Sequence, residues 1–101
     1  MRSPDELAAL VRSTHWRFET ARMAFRGENR RVPDVYAEAM SLLREGTDGG
    51  RQQAARIFQA ILDSAPEFAE GHFQLARIHA LAGAPDKARP FAANAAAMDA
   101  E

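Results

Sequence analysis

The sequence lacks cysteine, long apolar runs and an excess of charge of either sign. The absence of cysteine excludes disulfide scaffolds, thiolate zinc sites and a cysteine nucleophile. No apolar run approaches the roughly 18–20 residues of a membrane span, and the first residues lack the apolar stretch of a signal peptide. With 13 basic and 14 acidic residues, the chain resembles neither a polyelectrolyte tail nor a disordered segment. We therefore expect a soluble cytoplasmic protein with no membrane partner.

Alanine dominates what is present, with 22 of the 101 residues, whereas β-branched residues are scarce. This balance disfavours β-sheet and favours closely packed helices. Apolar residues make up 47% of the chain, which is enough for a core, and the length fits one domain. The composition therefore predicts a single all-α domain over residues 1–101.

The spacing of apolar residues predicts five helices joined by short turns, without a convincing strand. The first helix follows an apolar stripe from Leu7 to Phe25, ends near Gly27 and leads into a connector over 27–33. The other four helices are predicted over residues 34–45, 51–64, 68–82 and from 85 onward. Pro90 removes one backbone hydrogen bond from the last of these, so we expect a kink or a late start there.

The sequence repeats itself with a period of 34 residues. In matching positions, Gly49, Ala54, Ile57 and Phe58 recur as Gly83, Ala88, Phe91 and Ala92. Small residues such as Ala54 and Ala88 let helix backbones approach closely, and larger ones such as Phe58 fill the space between them. The glycines permit a tight turn between antiparallel helices. The period therefore predicts two successive pairs of helices.

Two motifs within this period resemble the tetratricopeptide repeat. The first is Ala54 followed by Phe58 and Pro66, and the second is His72, Leu75, Ala76 and His79 followed by Gly83, with histidines at both aromatic positions. The resemblance is good over residues 49–99 and degenerate before them. It implies a short right-handed array with a degenerate repeat over 34–66 and a clearer one over 67–101. Residues 1–33 would then form a capping helix and its connector.

The resemblance also implies a function, because tetratricopeptide proteins hold a partner peptide or helix in a groove lined by the first helix of each repeat. Carried onto the clearer repeat, it implicates Glu70, Phe73, Gln74, Arg77 and Leu81; on the degenerate repeat the candidates are Tyr36 and Met40. Phe73 would be the apolar anchor, and Arg77 would pair with a carboxylate or a backbone carbonyl. Alternatively, Phe73 is ordinary core and Arg77 is merely solvated.

The first predicted helix carries a second apolar face. Ala9, Trp16 and Met23 recur at seven-residue steps, opposite the stripe that begins at Leu7. Because an ordinary surface helix keeps that side polar, the face predicts a homodimer interface or a partner site. Alternatively, the second helix or the connector folds over Trp16 and buries it within the monomer.

Other kinds of site find little support in the sequence. There is no phosphate-binding glycine-rich loop and no serine nucleophile elbow, so we expect no enzyme activity and no cofactor. His72 and His79 lie about 10 Å apart along one helix face, too far to share a metal ion, and are better interpreted as packing residues. Seven arginines against four acids among residues 1–31 are a weak signal for nucleic-acid binding.

The sequence therefore predicts a non-catalytic adaptor or scaffold whose partner is another protein or peptide. Two repeats are fewer than the ~3 that such arrays usually need, so we expect the first helix or self-association into a homo-oligomer to compensate. The alternative is an assembly or regulatory subunit whose role is obligate oligomer formation through the first helix. Nucleic-acid binding through the arginines of that helix is a distant third.

Overall fold

The computed structural model describes residues 17–99, which form a β-hairpin followed by four helices. The strands are β1 (Arg22–Phe25) and β2 (Glu28–Arg31), and the helices are α1 (Val32–Arg44), α2 (Asp48–Ser64), α3 (Ala69–Leu81) and α4 (Pro85–Asp99). The four helices lie where the second to fifth helices were predicted, with boundaries that differ by up to three residues. The prediction of an all-α fold with five helices is wrong, because the described residues include a two-stranded sheet. Residues 1–16, which carry most of the first predicted helix, lie outside this range.

The hairpin stands where the end of the first helix and the connector over 27–33 were predicted. Its strands are antiparallel, with Arg22 opposite Arg31 and Phe25 opposite Glu28. The two residues between them, Arg26 and Gly27, have φ angles of 53° and 80°. Two positive φ values are typical of the type I′ turn, whose twist matches that of the flanking strands. Gly27 is therefore a hairpin turn residue and not a helix terminator.

Burial of one face explains why these residues form a hairpin. Met23 is 5% exposed and belongs to the core, whereas its neighbours Arg22 and Ala24 are exposed. An isolated two-stranded hairpin is marginal in water, so this packing is what stabilises it. The Val32 amide donates to the Ala21 carbonyl over 2.8 Å and extends the pairing to the first residue of α1. Tertiary packing thus overrides the helical spacing of the apolar residues.

The turn between α1 and α2 is held by a side-chain cap and a close backbone approach. The Thr47 hydroxyl accepts a hydrogen bond from the Gly50 amide over 2.9 Å and caps α2. A Cβ atom on Gly50 would lie 2.7 Å from the Leu42 carbonyl oxygen. Glycine at this position therefore lets the start of α2 lie directly against the end of α1.

The main core lies between the hairpin and the first three helices. Phe58 and Ile61 on α2 and Leu75 on α3 are its largest fully or almost fully buried side chains. A Cβ atom on Gly71 would lie 2.8 Å from Cδ2 of Leu62, so the absence of a side chain allows α3 to approach α2 closely.

The last helix packs differently from the others. It begins at Pro85, whose fixed φ suits a first turn, and continues through Pro90 without the late start that the sequence allowed. Ala88 and Ala95 are buried. Among the described elements, α4 is in close contact with α3 alone. One side of the α3–α4 pair therefore has no further helix against it within residues 17–99.

The helices form two successive pairs, α1–α2 and α3–α4. In each pair a glycine with positive φ follows the first helix, Gly46 at 69° and Gly83 at 75°. The predicted equivalence of Gly49 with Gly83 is wrong, because Gly49 lies in the first turn of α2 and Gly46 takes the corresponding place. Ala54 and Ala88, 34 residues apart, are both buried on the second helix of their pair.

Candidate functional site

The exposed side of α3 carries four of the predicted groove residues in a continuous stripe. Glu70, Phe73, Arg77 and Leu81 follow one another at three- and four-residue steps, which places them on one side of the helix. Phe73 is 53% exposed and Leu81 is 61% exposed, and they are the large hydrophobic side chains that lie exposed in the described part of the chain. We call these four residues the α3 stripe. It combines an apolar surface with one acid and one base.

A groove between α3 and α4, with a volume of about 530 Å³, runs beside the α3 stripe. It is lined by Phe73, Ala76, Arg77 and Ala80 from α3 and by Ala88, Ala92, Ala95 and Ala96 from α4. We call it the alanine groove. Its walls are methyl groups and one aromatic ring, and among the described residues Arg77 is the only charged one that lines it. Such a groove can accept an apolar side chain with an anionic group at one end.

Smaller depressions lie at the two ends of the stripe and differ in charge. The one at the start of α3 is lined by Phe68, Ala69, Glu70 and Phe73. The one at the end of α3, of about 230 Å³, is lined by Leu43, Gly46, Arg51, Arg77, Ile78 and Leu81. Arg51 donates to the Gly46 carbonyl over 3.3 Å and pairs with Asp48. The stripe therefore begins with the acid Glu70 and carries the base Arg77 about one turn before its end at Leu81.

The Glu70 carboxylate is held by two side chains, Tyr36 of α1 and Gln74 on the inner side of α3. The Tyr36 hydroxyl donates to Glu70 Oε1 over 3.3 Å, and Gln74 Nε2 donates to the same atom over 2.9 Å. Gln74 is only 4% exposed, and its Oε1 atom has no hydrogen-bond partner among the described residues. Burial, together with the neighbouring Glu70 charge, raises the pKa of the Tyr36 hydroxyl above its ordinary value. Tyr36 and Gln74 thus orient Glu70 and do not themselves form the surface.

A cluster of aromatic rings fixes the start of α3 against α1. The Tyr36 ring meets those of Phe18, Phe58 and Phe68 edge-on, with centroid distances of 5.6–5.8 Å. Phe18 also stacks on Phe68 at 5.1 Å. Met40 is half-buried and packs against the core. The two groove candidates on α1 therefore lie on the core side, and the exposed part of the candidate surface belongs to α3.

His72 and His79 pack between α3 and α4. His72 Nε2 donates to the Pro66 carbonyl over 2.8 Å, and the His72 ring lies 6.0 Å from that of Phe91. The His79 ring stacks on the same Phe91 ring, with a centroid distance of 5.7 Å. Within residues 17–99, no three His, Asp or Glu side chains converge in a way that could hold a metal ion.

The second apolar face of the first predicted helix does not extend to its third member. Met23 lies in β1 and is buried in the core of its own chain, so it is not part of an exposed helix face. Ala9 and Trp16 lie outside the described residues. Met23 is therefore not part of the predicted interface, and that prediction now concerns Ala9 and Trp16 alone.

Two hairpin arginines are engaged by one carboxylate on α1. Arg26 lies 3.2 Å from Glu38 and Arg30 lies 3.6 Å from it, measured between guanidinium nitrogens and carboxylate oxygens. Both guanidinium groups also lie over the Phe25 ring, at 4.6 and 5.6 Å from its centroid. These two charges are satisfied within the chain, which leaves less free positive charge for a phosphate backbone.

Comparison of the chain with protein-family models, curated proteins and solved structures finds no match. The resemblance to the tetratricopeptide repeat therefore rests on the residues of this chain alone. Across residues 17–99, every helix is too short or too polar to cross a membrane.

The alanine groove is the part of the surface that sequence reasoning missed. Ala88, Ala92 and Ala95 recur at four- and three-residue steps on α4, and Ala76 and Ala80 lie four residues apart on α3. From the sequence, such alanines are predicted to mark places where two helices approach each other. The structure shows in addition that several alanines of α3 and α4 are exposed and that no described helix covers them.

Proposed function

We propose that this chain is a non-catalytic interaction module, an adaptor or scaffold that binds an amphipathic peptide or helix of another protein. The observation that carries the proposal is the exposure of Phe73 and Leu81 beside the alanine groove. Exposed apolar surface rimmed by charged groups is typical of protein interaction sites. The resemblance to the tetratricopeptide repeat supports the same choice of helix, and on the composition we propose a cytoplasmic location.

The charges on the α3 stripe define the chemistry of the partner. An apolar side chain of the partner would fill the alanine groove and pack against Phe73. A carboxylate would pair with Arg77, which is exposed and has no hydrogen bond or ion pair within residues 17–99. An amino or guanidinium group would bind Glu70, whose Oε1 atom is already fixed. The favoured ligand is therefore an apolar segment with an acid on one side and a base on the other.

A peptide-display selection tests this proposal, with the full chain as bait. The test variant is Phe73→Ala combined with Arg77→Ala, since both residues lie on the α3 stripe and both changes preserve helix propensity. The matched control is Gln52→Ala combined with Arg56→Ala. These residues are also exposed and four apart, but they lie on α2, away from the groove.

We expect the wild type and the control to select peptides with an apolar core and an acidic residue. Affinity for the double variant of α3 should fall by about tenfold or more, because an aromatic anchor and an arginine usually carry much of the energy of an interface. Titration calorimetry with the selected peptides measures this difference. Equal binding by the α3 variant and the control would remove the groove from the binding surface.

A further inference from the structure

We infer that the α3 stripe also binds a second copy of this chain, with the two α3 helices antiparallel across a two-fold axis. This inference rests on the surface assigned under the proposed function. A two-fold interface uses the same patch on both copies, so the patch has to be complementary to itself. The order of residues along α3 meets this requirement.

The charges on α3 are arranged symmetrically about Phe73. Glu70 lies three residues before Phe73, and Arg77 lies four residues after it. When two such helices run antiparallel with the axis beside Phe73, Glu70 of each copy faces Arg77 of the other. Both ion pairs then form at once. The same helices in parallel would bring Glu70 against Glu70 and Arg77 against Arg77, which is repulsive.

The apolar residues follow the same symmetry. Phe73 lies at the axis, where its 53% exposed ring can pack against the other copy. Leu81 lies about 12 Å further along the helix, from the 1.5 Å rise per residue. Because α3 begins only about 6 Å before Phe73, this distance carries Leu81 just beyond the start of the other α3, to the level of the exposed Pro66. Each exposed large hydrophobic side chain thus meets apolar surface.

The size of the surface sets the expected strength of the contact. α3 has 13 residues and is therefore about 20 Å long. Contact along one helix of this length is smaller than the ~800 Å² per partner of a standard stable complex. We therefore expect a weak dimer that dissociates in the micromolar range. Because dimerisation covers the α3 stripe, a partner peptide and the second copy would compete for it.

Sedimentation equilibrium of the full chain over micromolar concentrations tests the inference. Arg77→Glu leaves each copy with two acids, and Glu70→Arg leaves each copy with two bases, so each variant alone should self-associate at least about tenfold more weakly. An equimolar mixture of the two variants restores both ion pairs and should form heterodimers. Arg56→Glu on α2 is the matched control, and it should dimerise like the wild type.

Helix content by circular dichroism is measured for each variant, because Glu70 also accepts bonds from Tyr36 and Gln74. If Glu70→Arg loses helix, Phe73→Lys replaces it, and this exposed change should abolish dimerisation with the fold intact. A monomeric wild type overturns the inference. So does a dimer that Arg77→Glu leaves unchanged and Trp16→Glu dissociates. Peptide selection by a monomeric chain would remove this inference alone, whereas dimerisation without peptide selection would remove only the proposed function.

Discussion

Tyr36 and Glu70 lie 34 residues apart and are joined by a hydrogen bond of 3.3 Å, in which the hydroxyl donates to Oε1. Tyr36 lies on α1 and Glu70 lies on α3, which are the first helices of the two successive pairs. The bond therefore connects the first helix of one pair with the first helix of the next. The bond also holds Glu70, the acidic residue of the α3 stripe, in place. Tyr36 therefore orients a residue of this surface although it lies on the core side of α1.

The titration of Tyr36 reports directly on this bond. Tyr36 is the only tyrosine, so absorbance at the tyrosinate band follows one group. Burial, and then the Glu70 charge, raise its pKa above the ordinary value of about 10. Glu70→Gln should lower this pKa but leave it above the unfolded value, since burial persists. Glu67→Gln, three residues earlier, is the control and should leave the titration unchanged.

The same pKa shift predicts how stability depends on pH. Because the folded pKa of Tyr36 is raised above the unfolded one, its contribution to stability is fully present below pH ~10 and is lost as pH rises through the folded pKa. Urea unfolding between pH 8 and pH 11 should show a smaller alkaline loss of stability in Glu70→Gln than in the wild type. An equal loss in both would contradict a role for the Glu70 carboxylate.

Substitutions at neighbouring hairpin residues distinguish the strand from the predicted helix. Met23→Lys should destabilise the chain by about 2 kcal/mol or more, because it buries a charge in the core. Ala24→Lys places the same side chain on the exposed face of β1 and should change stability by about 0.5 kcal/mol or less. Urea unfolding measures both. Equal effects of the two substitutions would argue against the alternation of β1.

Two glycines with open surroundings test the hairpin turn. A Cβ atom at Gly27 or at Gly49 would meet no other atom within 4 Å, but Gly27 has a φ of 80° and Gly49 lies in a helix. Gly27→Ala should therefore cost about 1–2 kcal/mol. Gly49→Ala should be neutral or stabilise by up to about 1 kcal/mol. Thermal unfolding measures both variants. A lower melting temperature for Gly27→Ala than for Gly49→Ala would support the left-handed conformation at Gly27, and the opposite order would contradict it.

Gly71 and Leu62 should show coupled effects on stability. Gly71→Ala brings a methyl group to 2.8 Å from Leu62 Cδ2 and should destabilise the chain by about 1–3 kcal/mol. Leu62→Ala alone should cost about 2–5 kcal/mol through the cavity that it leaves. Since the shortened side chain makes room for the new methyl group, the double variant should lose less than the sum of the two. Additive losses would show that the two helices move apart instead.

The positions of α1–α4 could be predicted because each helix has clear apolar spacing and end signals. The hairpin could not be predicted, because Phe18, Ala21 and Phe25 have the spacing of a helical stripe. The same residues also fit the observed structure, in which Phe18 and Ala21 precede β1 and Phe25 lies in it. The burial of Met23 distinguishes the observed strand from the predicted helix, and this burial depends on α1 and α2. The turn signal was also weak, because Arg26 adopts a positive φ that is more usual for asparagine or aspartate.

The candidate site was predictable in part for a similar reason. Spacing along α3 is a local property, so placing Glu70, Phe73, Arg77 and Leu81 on one side of a helix required only the helix period. Whether a residue on that helix is exposed depends on its neighbours in space. Gln74 is buried although it directly follows the exposed Phe73, and the alanine groove exists because α4 packs on α3 alone.

The junction between β2 and α1 has a consequence for how the chain can vary in length. The last residue of the strand is Arg31 and the first residue of the helix is Val32, so no linker absorbs a change between them. One residue inserted there would turn the hairpin by about 100° around the helix axis. Met23 would leave the core, and Arg26 and Arg30 would leave Glu38. An insertion or a deletion at this junction should therefore detach the hairpin from the core.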